Sequence, residues 1–132
     1  MRYIDIGEVV VIHVRMLSIG GGKGGVRDFT LLHSAVERPK ASFGGRLLYK
    51  NIWFQSAALL HSLVKNHAFT DGNKRTAYFT TMRFLFINGY NLKPPKPEII
   101  RFTLLVDNKK TIELTEISKW LRKHSVKIKL PK

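Results

Sequence analysis

The stretch NIWFQSAALLHSLVKNHAFTDGNKRTAYFTTMRFLFIN, residues 51–88, holds two strongly apolar segments with a short polar segment between them. In both apolar segments the hydrophobic residues lie nearly all round a helix, which is typical of a helix buried in a core. We therefore predict helices over about residues 50–65 and 73–88, with a connecting loop over residues 67–72. Gly89 provides the C-terminal end of the second helix. This pair of helices is the predicted centre of the fold.

The flanking sequence predicts four more helices, because its apolar residues recur at helical spacing and Gly and Pro separate the segments. Asp5 and Asp28 are the predicted N-caps of the first two helices, and the apolar face of the first includes Val9 and Val14. Between the second helix and the central pair, PKASFGGR at residues 39–46 predicts a loop or a short hairpin. The four helical segments are DIGEVVVIHVRMLS, FTLLHSAVER, KPEIIRFTLLVDN and TIELTEISKWLRKHS.

Size and composition agree with one compact all-α domain over residues 1–132, built as a bundle of about six helices. The chain is 44% hydrophobic and 11% aromatic, as is typical of globular proteins, and it has no cysteine for disulfides or thiolate metal sites. No apolar run approaches the roughly 18 residues that span a membrane, and the amino terminus carries acids where a signal peptide has only cations. We expect a soluble protein of the cytoplasm.

The charge is strongly unbalanced, with 23 Lys and Arg against 9 Asp and Glu and a net charge of +14. Such a surplus predicts attraction to polyanions, which include nucleic acids, acidic proteins and nucleotide phosphates. The basic residues are spread along the chain and are densest in the tail KWLRKHSVKIKLPK. That tail is either the solvated end of a terminal helix or a binding segment.

The polar loop places a candidate base and a candidate metal ligand just ahead of a helix. A histidine side chain can accept a proton from a hydroxyl at neutral pH, which makes His67 a candidate general base. Asp71 provides the hard oxygen ligand that a Mg²⁺ bridging nucleotide phosphates requires. Phe69, between them, is the predicted anchor that packs inward and fixes the shape of the loop.

The residues that follow Asp71 suit a bound anion. The first N–H groups of a helix have no internal partner and lie at the positive end of the helix dipole. Gly72 lets a phosphate approach the backbone closely, and Asn73 adds a side-chain amide. Lys74 and Arg75 add positive charge, the arginine in a fork that matches phosphate oxygens. A base, a metal ligand and a phosphate site so close together predict phosphoryl or nucleotidyl transfer.

Two other features do not indicate a site. The run GGGKGG at residues 20–25 is not a phosphate-binding P-loop, because Leu17 stands where that motif needs a glycine and Gly24 where it needs Ser or Thr. We predict a mobile loop there. The remaining histidines show none of the close spacings of zinc ligands; they are His13, His33, His61 and His124.

The segment HAFTDGNKR, residues 67–75, resembles the signature of the Fic/Doc superfamily, written H-x-F-x-[DE]-[GA]-N-[GK]-R. Its lysine variant resembles in particular the Doc (death-on-curing) toxins of toxin–antitoxin pairs. Upstream, GGVRDFTLLHSAVERPKASFGG is similar to the Doc-type segment that leads into and includes the flap, and FLFINGYNL is similar to the end of the motif helix. The resemblance covers about residues 20–92 and implies a Fic-like helical fold.

The resemblance also implies a role for each residue of the motif. His67 would be the general base toward a target hydroxyl, Phe69 the anchor of the loop and Asp71 the ligand of a Mg²⁺ that accompanies ATP. The phosphate contacts would be Gly72, Asn73, Lys74 and Arg75, and the contacts of a target-docking flap would be Ser42, Phe43 and Gly44.

Lys74 and Tyr78 indicate which group is transferred. Most Fic enzymes resemble one another in a second glycine where Lys74 stands here, and the AMP-transferring members usually carry a further arginine where Tyr78 stands. Both differences favour a Doc-like kinase that moves the γ-phosphate of ATP to a Ser or Thr hydroxyl of a cytosolic protein, above all elongation factor Tu, and so arrests translation. Transfer of AMP and a non-enzymatic nucleic-acid-binding domain are the alternatives.

The sequence also bears on regulation. Self-inhibited Fic proteins resemble one another in an [ST]-x-x-x-E-[GN] helix, and no such segment occurs in the 132 residues. Restraint would then come from a separate Phd-like antitoxin with a disordered and acidic tail, which would suit a chain of charge +14.

Overall fold

The computed structural model describes residues 1–130, which form six α-helices and two small antiparallel sheets. The mostly helical fold predicted from the sequence is confirmed, with two pairs of very short strands added to it. The helices are α1 (Ile6–Gly20), α2 (Phe29–Glu37), α3 (Ile52–Lys65), α4 (Asn73–Ile87), α5 (Lys96–Asn108) and α6 (Leu114–Lys123), and the strands are β1 (Ser42–Phe43), β2 (Arg46–Leu47), β3 (Tyr90–Leu92) and β4 (Ser125–Lys127).

Helices α3 and α4 form the centre of the core, as predicted. Helix α3 packs against α4, α6, α2 and α5, while α4 also packs against α1. Most of the largest fully buried side chains come from these helices and from α6, and they include Leu59, Leu60, Phe84, Leu85, Ile117 and Leu121. Burial of this much apolar surface on every side of α3 supplies most of the driving force for the fold. The central pair therefore holds the loop between them, residues 66–72, in a defined place.

Side-chain caps begin three of the helices. Asp5 Oδ1 accepts a hydrogen bond from the backbone N–H of Glu8 at 2.9 Å, and Asp28 Oδ1 accepts one from Leu31 at 3.0 Å. Asn51 caps α3 in the same way. Each cap satisfies an N–H group that has no partner inside its helix, so the two aspartate caps predicted from the sequence are confirmed.

The inward face of α1 differs from the prediction. Val9 and His13 are the buried residues of this helix, whereas the side chain of Val14 is 60% exposed. Residues 9 and 13 lie one above the other on a helix, and residue 14 is turned about 100° away from residue 13. The helix thus packs on α4 through a face that contains a histidine, which hydrophobic spacing alone does not indicate.

Of the loop or short hairpin predicted for residues 39–46, the structure has the hairpin, and its second strand extends to Leu47. Strands β1 and β2 pair antiparallel with Ser42 opposite Leu47 and Phe43 opposite Arg46. The two residues at its tip, Gly44 and Gly45, have φ angles of 58° and 76°, which are the left-handed values that a tight two-residue hairpin requires.

The second sheet was not predicted. Strand β4 pairs antiparallel with β3, so that Asn91 lies opposite Val126, and α6 ends at Lys123 before it. The basic tail of residues 119–132 is therefore part helix and part strand, and its last two residues lie outside the described range. Within residues 1–130 no helix combines the length and apolar character needed to cross a membrane.

Candidate functional site

Phe69 and Asn73 fix the shape of the loop between α3 and α4. The Phe69 side chain is only 2% exposed and stacks on the His13 ring at 3.8 Å between centroids. The Asn73 amide donates to the Phe69 carbonyl at 2.9 Å and its oxygen accepts from the Phe69 N–H at 3.0 Å. The side chain of Asn73 thus uses one amide N–H and its oxygen within the loop, which leaves its second amide N–H and its backbone N–H for an anion at the start of α4.

The glycine-rich segment and the residues just after it run beside the loop between α3 and α4. Thr70 donates its N–H to the Gly25 carbonyl at 3.0 Å, and Arg27 donates its N–H to the Ala68 carbonyl at 2.7 Å. Closer to the candidate metal ligand, the Lys23 N–H donates to Asp71 Oδ2 at 2.7 Å. The segment that was predicted to be a mobile loop is therefore hydrogen-bonded to the loop between α3 and α4. Its Lys23 N–H orients the Asp71 carboxylate.

His67 lies where α3 gives way to the loop, in a backbone conformation that is unusual for its residue type. Its φ angle is 47°, the only positive value among the non-glycine residues of the described chain. The Arg27 guanidinium donates to the His67 carbonyl from Nε at 2.9 Å and from Nη2 at 2.5 Å. Because left-handed backbone is costly outside glycine, these bonds are what hold the histidine in place.

Asp107, in the last turn of α5, joins the site through its side chain. Oδ1 lies 3.0 Å from Nε2 of His67, and Oδ2 lies 3.4 Å from Nζ of Lys74. Burial raises the pKa of the Asp107 carboxyl, but the hydrogen bonds from His67 and Lys74 lower the pKa by more than burial raises it. The pKa therefore lies below its ordinary value. Asp107 is therefore ionised at neutral pH.

Sequence reasoning missed Asp107, although one signal was present. A carboxylate in the last turn of a helix lies at the negative end of the helix dipole and is unfavourable there without a partner. Here Lys65 supplies part of the compensation, since its Nζ donates to the backbone carbonyls of Asp107 at 3.1 Å and Lys109 at 2.7 Å. An unfavourably placed acid in an apolar helix was the available indication of a second role.

Arg75 uses two of its N–H groups inside the protein. Nη1 donates to the Met16 carbonyl at 3.0 Å and Nη2 to the Gly21 carbonyl at 2.8 Å, so the guanidinium closes the C-terminal end of α1. An arginine has five N–H donors, and the others remain for an anion. A Cβ at Gly20 would overlap Nη1 of Arg75, so a side chain at that position would displace the guanidinium from this arrangement.

His13 packs against Phe69 of the motif loop and is uncharged at neutral pH. Its Nδ1 lies 3.1 Å from the Thr76 hydroxyl, and the residue is 2% exposed. Burial and, to a lesser degree, the charge of Arg75 lower the pKa of this histidine. A neutral ring can stack on Phe69 without placing a charge in the core.

A search for related sequences agrees with this geometry. The model of the Fic/DOC family matches residues 3–85, which contain α1 to α4 and the whole motif loop. The chain belongs to the Fic/DOC family.

Of two curated relatives of this Fic/DOC protein, one is named a toxin and the other a protein kinase. "Toxin Doc" of Mycolicibacterium smegmatis (strain ATCC 700084 / mc(2)155) is 51% identical over 72 residues, which is 54% of this chain and 55% of that protein. "Protein kinase doc" of Escherichia phage P1 is 31% identical over 107 residues, which is 79% of this chain and 81% of that protein. The match therefore spans about half the length of the first relative and most of the second.

The donor set of this Fic/DOC site suits a Mg²⁺ that arrives with a nucleotide. Asp71 is exposed, and Gly72, with φ of 76°, begins α4 without a side-chain cap over the first N–H groups. Within residues 1–130 no three His, Asp or Glu side chains lie close enough to hold a metal by themselves. Mg²⁺ at phosphate-transfer sites commonly takes one or two carboxylates and completes its shell with phosphate oxygens and water, so a single aspartate is sufficient.

The hairpin stands apart from the motif in this Fic/DOC fold. Among the hydrogen bonds of residues 1–130, none joins the hairpin to residues 67–75. Phe43 at the tip is 83% exposed, and Ser42 and Gly44 are exposed beside it. Target docking by these three residues stays a prediction.

Proposed function

We propose that this Fic/DOC protein is a Doc-type toxin kinase. It would transfer the γ-phosphate of ATP to a Ser or Thr hydroxyl of a cytosolic protein, most specifically elongation factor Tu, and thereby arrest translation. The observation that carries the proposal is Lys74, a partly exposed cation in the first turn of α4 that shares the Asp107 carboxylate with His67. The name of the phage relative, Protein kinase doc, supports the same chemistry.

The proposed reaction forms one bond, breaks another and transfers one proton. The target hydroxyl oxygen forms a bond to the γ-phosphorus, and the bond from that phosphorus to the β,γ-bridging oxygen breaks to release ADP. The hydroxyl proton passes to the imidazole of His67, which acts as the general base. Lys74 and the first N–H groups of α4 offset the charge on the phosphate oxygens.

Asp71 is the residue that would hold Mg²⁺, with its carboxylate already oriented by the Lys23 N–H. When bound, Mg²⁺ neutralises charge on the phosphoryl group during its transfer. Gly72 lets the nucleotide approach the backbone at this point, because it carries no side chain above the helix start.

Tyr78 supports phosphate transfer over transfer of AMP. Its side chain is 2% exposed, and burial raises the pKa of its hydroxyl to about 12. A buried and neutral phenol provides none of the positive charge that AMP-transferring relatives have at this position. AMP transfer remains the alternative outcome of the test below.

We also propose a seat for the antitoxin. An apolar groove of about 700 Å³ runs between α1 and α4, with Val11 and Met82 in its lining and Arg15 and Arg83 at its polar positions beside Glu8. The exposed valine and the two arginines suit an acidic, partly apolar tail that folds on binding. Such a partner would also complement the charge of +14.

The experiment that tests the enzyme uses purified protein, Mg²⁺ and a bacterial cytosolic extract, in parallel with γ-labelled and α-labelled ATP. We expect label on one protein from the γ-phosphate only. His67→Ala should abolish it, whereas His33→Ala, which changes an exposed histidine on α2, should leave it intact. Mass spectrometry of the labelled band then identifies the target and the residue.

The other results are equally informative. Label from the α-phosphate would make the protein an AMP transferase. Absence of label from both nucleotides, with folded protein and purified elongation factor Tu added, would overturn the proposal. Tight binding to random DNA that persists at high salt would then favour the nucleic-acid-binding alternative.

A further inference from the structure

We infer that Asp107 is a positioning residue for the base: it holds the proton of His67 on Nε2, directs Nδ1 toward the target hydroxyl, and keeps Lys74 beside the same carboxylate. The inference rests on the proposed function for its chemistry. It adds a residue of α5, 40 positions after His67, to a site otherwise formed by the motif loop and α4.

The tautomer follows from the hydrogen-bonding capacity of the two side chains. An ionised carboxylate can only accept, so the hydrogen between Nε2 of His67 and Oδ1 of Asp107, 3.0 Å apart, belongs to the nitrogen. A neutral imidazole has one N–H, so its other nitrogen, Nδ1, is the acceptor. No hydrogen bond within residues 1–130 occupies Nδ1, and the side chain is 49% exposed. The free lone pair is thus available to a hydroxyl from outside.

Backbone contacts hold both partners of the pair. Arg27 donates twice to the His67 carbonyl, and Lys65 donates to the Asp107 carbonyl. The two anchors come from different elements, the segment before α2 and the end of α3. Neither backbone segment can move away without losing charge-assisted hydrogen bonds, which are among the stronger ones in proteins, so the two side chains start from fixed positions. Such support is what keeps a catalytic group at a fixed position.

The surroundings show why one carboxylate serves two partners. The charged or titratable groups that face it are His67 from the loop, Lys74 from α4 and Lys65 from α3, and the last contacts its backbone only. The side chain of Asp107 is 18% exposed, compared with 41% for Lys74. Asp107 is the acid among these groups, so removal of its charge alters the base and the phosphate-binding cation together.

The first test reads the tautomer without any reaction. We would label histidine with ¹⁵N and record long-range ¹H–¹⁵N correlations of the side chains at a pH where His67 is neutral. In the wild-type protein His67 should be in the Nε2–H form, and in Asp107→Asn the distribution between the two forms should change. His67 with its proton on Nδ1 in the wild-type protein would overturn the inference by itself, even if the variant did not fold.

The second test measures transfer to the target. Asp107→Asn should lower kcat at least about 10- to 100-fold, which is the loss typical when the carboxylate partner of a metal-ligating histidine is removed. Glu113→Gln is the matched control, because it removes one negative charge from an exposed residue that caps α6 without a side-chain hydrogen bond. An unchanged kcat in Asp107→Asn, or an equal loss in the control, would contradict the inference.

The two tests separate the failure of this inference from failure of the proposed function. If neither nucleotide gives label, the tautomer of His67 still decides whether Asp107 positions it. If label appears and the tautomer differs from the expected one, the kinase stands and Asp107 is only a structural acid. Asp107→Glu should restore part of kcat, because it keeps the carboxylate within reach of the ring, and a structural role alone would not require that recovery.

Discussion

At the scale of single residues, several polar side chains around the motif bind backbone atoms, whereas others remain exposed to a ligand. Each of the bound ones fixes a carbonyl that helix or loop geometry leaves open. His67, Asp71 and Lys74 are the side chains that remain partly or largely exposed at the surface of the loop. The backbone-binding side chains are those of Arg27, Lys65, Asn73 and Arg75.

Phe69→Ala should destabilise the protein by about 3–5 kcal/mol, because it removes a buried aromatic ring from its stack on His13. Urea unfolding measures this free energy. Phe43→Ala is the control, since Phe43 is 83% exposed and should change stability by no more than about 0.5 kcal/mol. Equal effects of the two substitutions would show that the loop is not anchored through Phe69.

The sequence sufficed for the residues of the loop and not for the partners they find elsewhere. The roles proposed for His67, Phe69 and Asp71 follow from local chemistry, since the proposed base, anchor and metal ligand lie within a few positions of one another. The contact of Asp107 with His67 depends on how α5 crosses the end of α3, which only tertiary packing determines. The same holds for Arg75, whose carbonyl partners belong to α1.

At the scale of elements, the site is assembled where helix termini meet. The start of α4 carries the candidate phosphate site, the end of α5 brings Asp107, and the end of α1 is closed by Arg75. Such termini carry unpaired backbone groups and partial charges, which makes them suitable for charged ligands and charged side chains. Helix boundaries follow from caps and breakers in the sequence, so these termini were predicted to within a few residues.

Gly72→Ala should cost about 1–2 kcal/mol, because alanine is strained at a φ of 76°. It should also reduce transfer, since the change lies at the start of α4. Gly89→Ala, at the other end of the same helix with φ of 94°, is the matched control. We expect a similar loss in urea unfolding but nearly normal transfer, and equal loss of transfer in both variants would place the effect in overall stability.

Glu98 links α5 to α6 and should make stability depend on acid pH. Hydrogen bonds from Arg101 and then Trp120 lower the pKa of its carboxyl from 4.5 to about 2. A lowered folded-state pKa adds stability above the unfolded value, and that contribution is lost as the pH falls from 4.5 toward 2. Glu98→Gln should therefore show a smaller decline in unfolding free energy over this range. Parallel curves for the two proteins would contradict the linkage.

Strands β3 and β4 are the elements that the sequence patterns did not predict. Strands β3 and β4 have three residues each, too few for a recognisable alternation, and β4 follows directly on a basic helix. Their pairing depends on the return of the chain to the end of α4, where Ile128 donates its N–H to the Gly89 carbonyl at 2.9 Å. The hairpin of β1 and β2 was predictable because its Gly pair requires a turn.

At the scale of the whole molecule, the charge of +14 should govern how fast the protein meets an acidic partner. Added salt shortens the range of such attraction from about 10 Å at 0.1 M to about 3 Å at 1 M. We expect kcat/KM for the protein target to fall several-fold with NaCl, while kcat stays nearly constant. Replacement of exposed Lys127 and Lys129 by Gln should flatten the dependence. A salt-independent kcat/KM would show that long-range attraction plays no part in the encounter.

The order in which the segments of the core are synthesised determines when the site of this protein can form. Helix α3 is covered by α6, and Asp107 reaches His67 from 40 positions further along the chain. During synthesis the motif loop therefore leaves the ribosome before α5 and α6, the elements that pack against its neighbours, have fully emerged. Because a domain acquires its packing only when its contacting segments are present, the contact of Asp107 with His67 can form only after α5 has emerged. The activity proposed for this protein would therefore begin only once the segments that complete its site have left the ribosome.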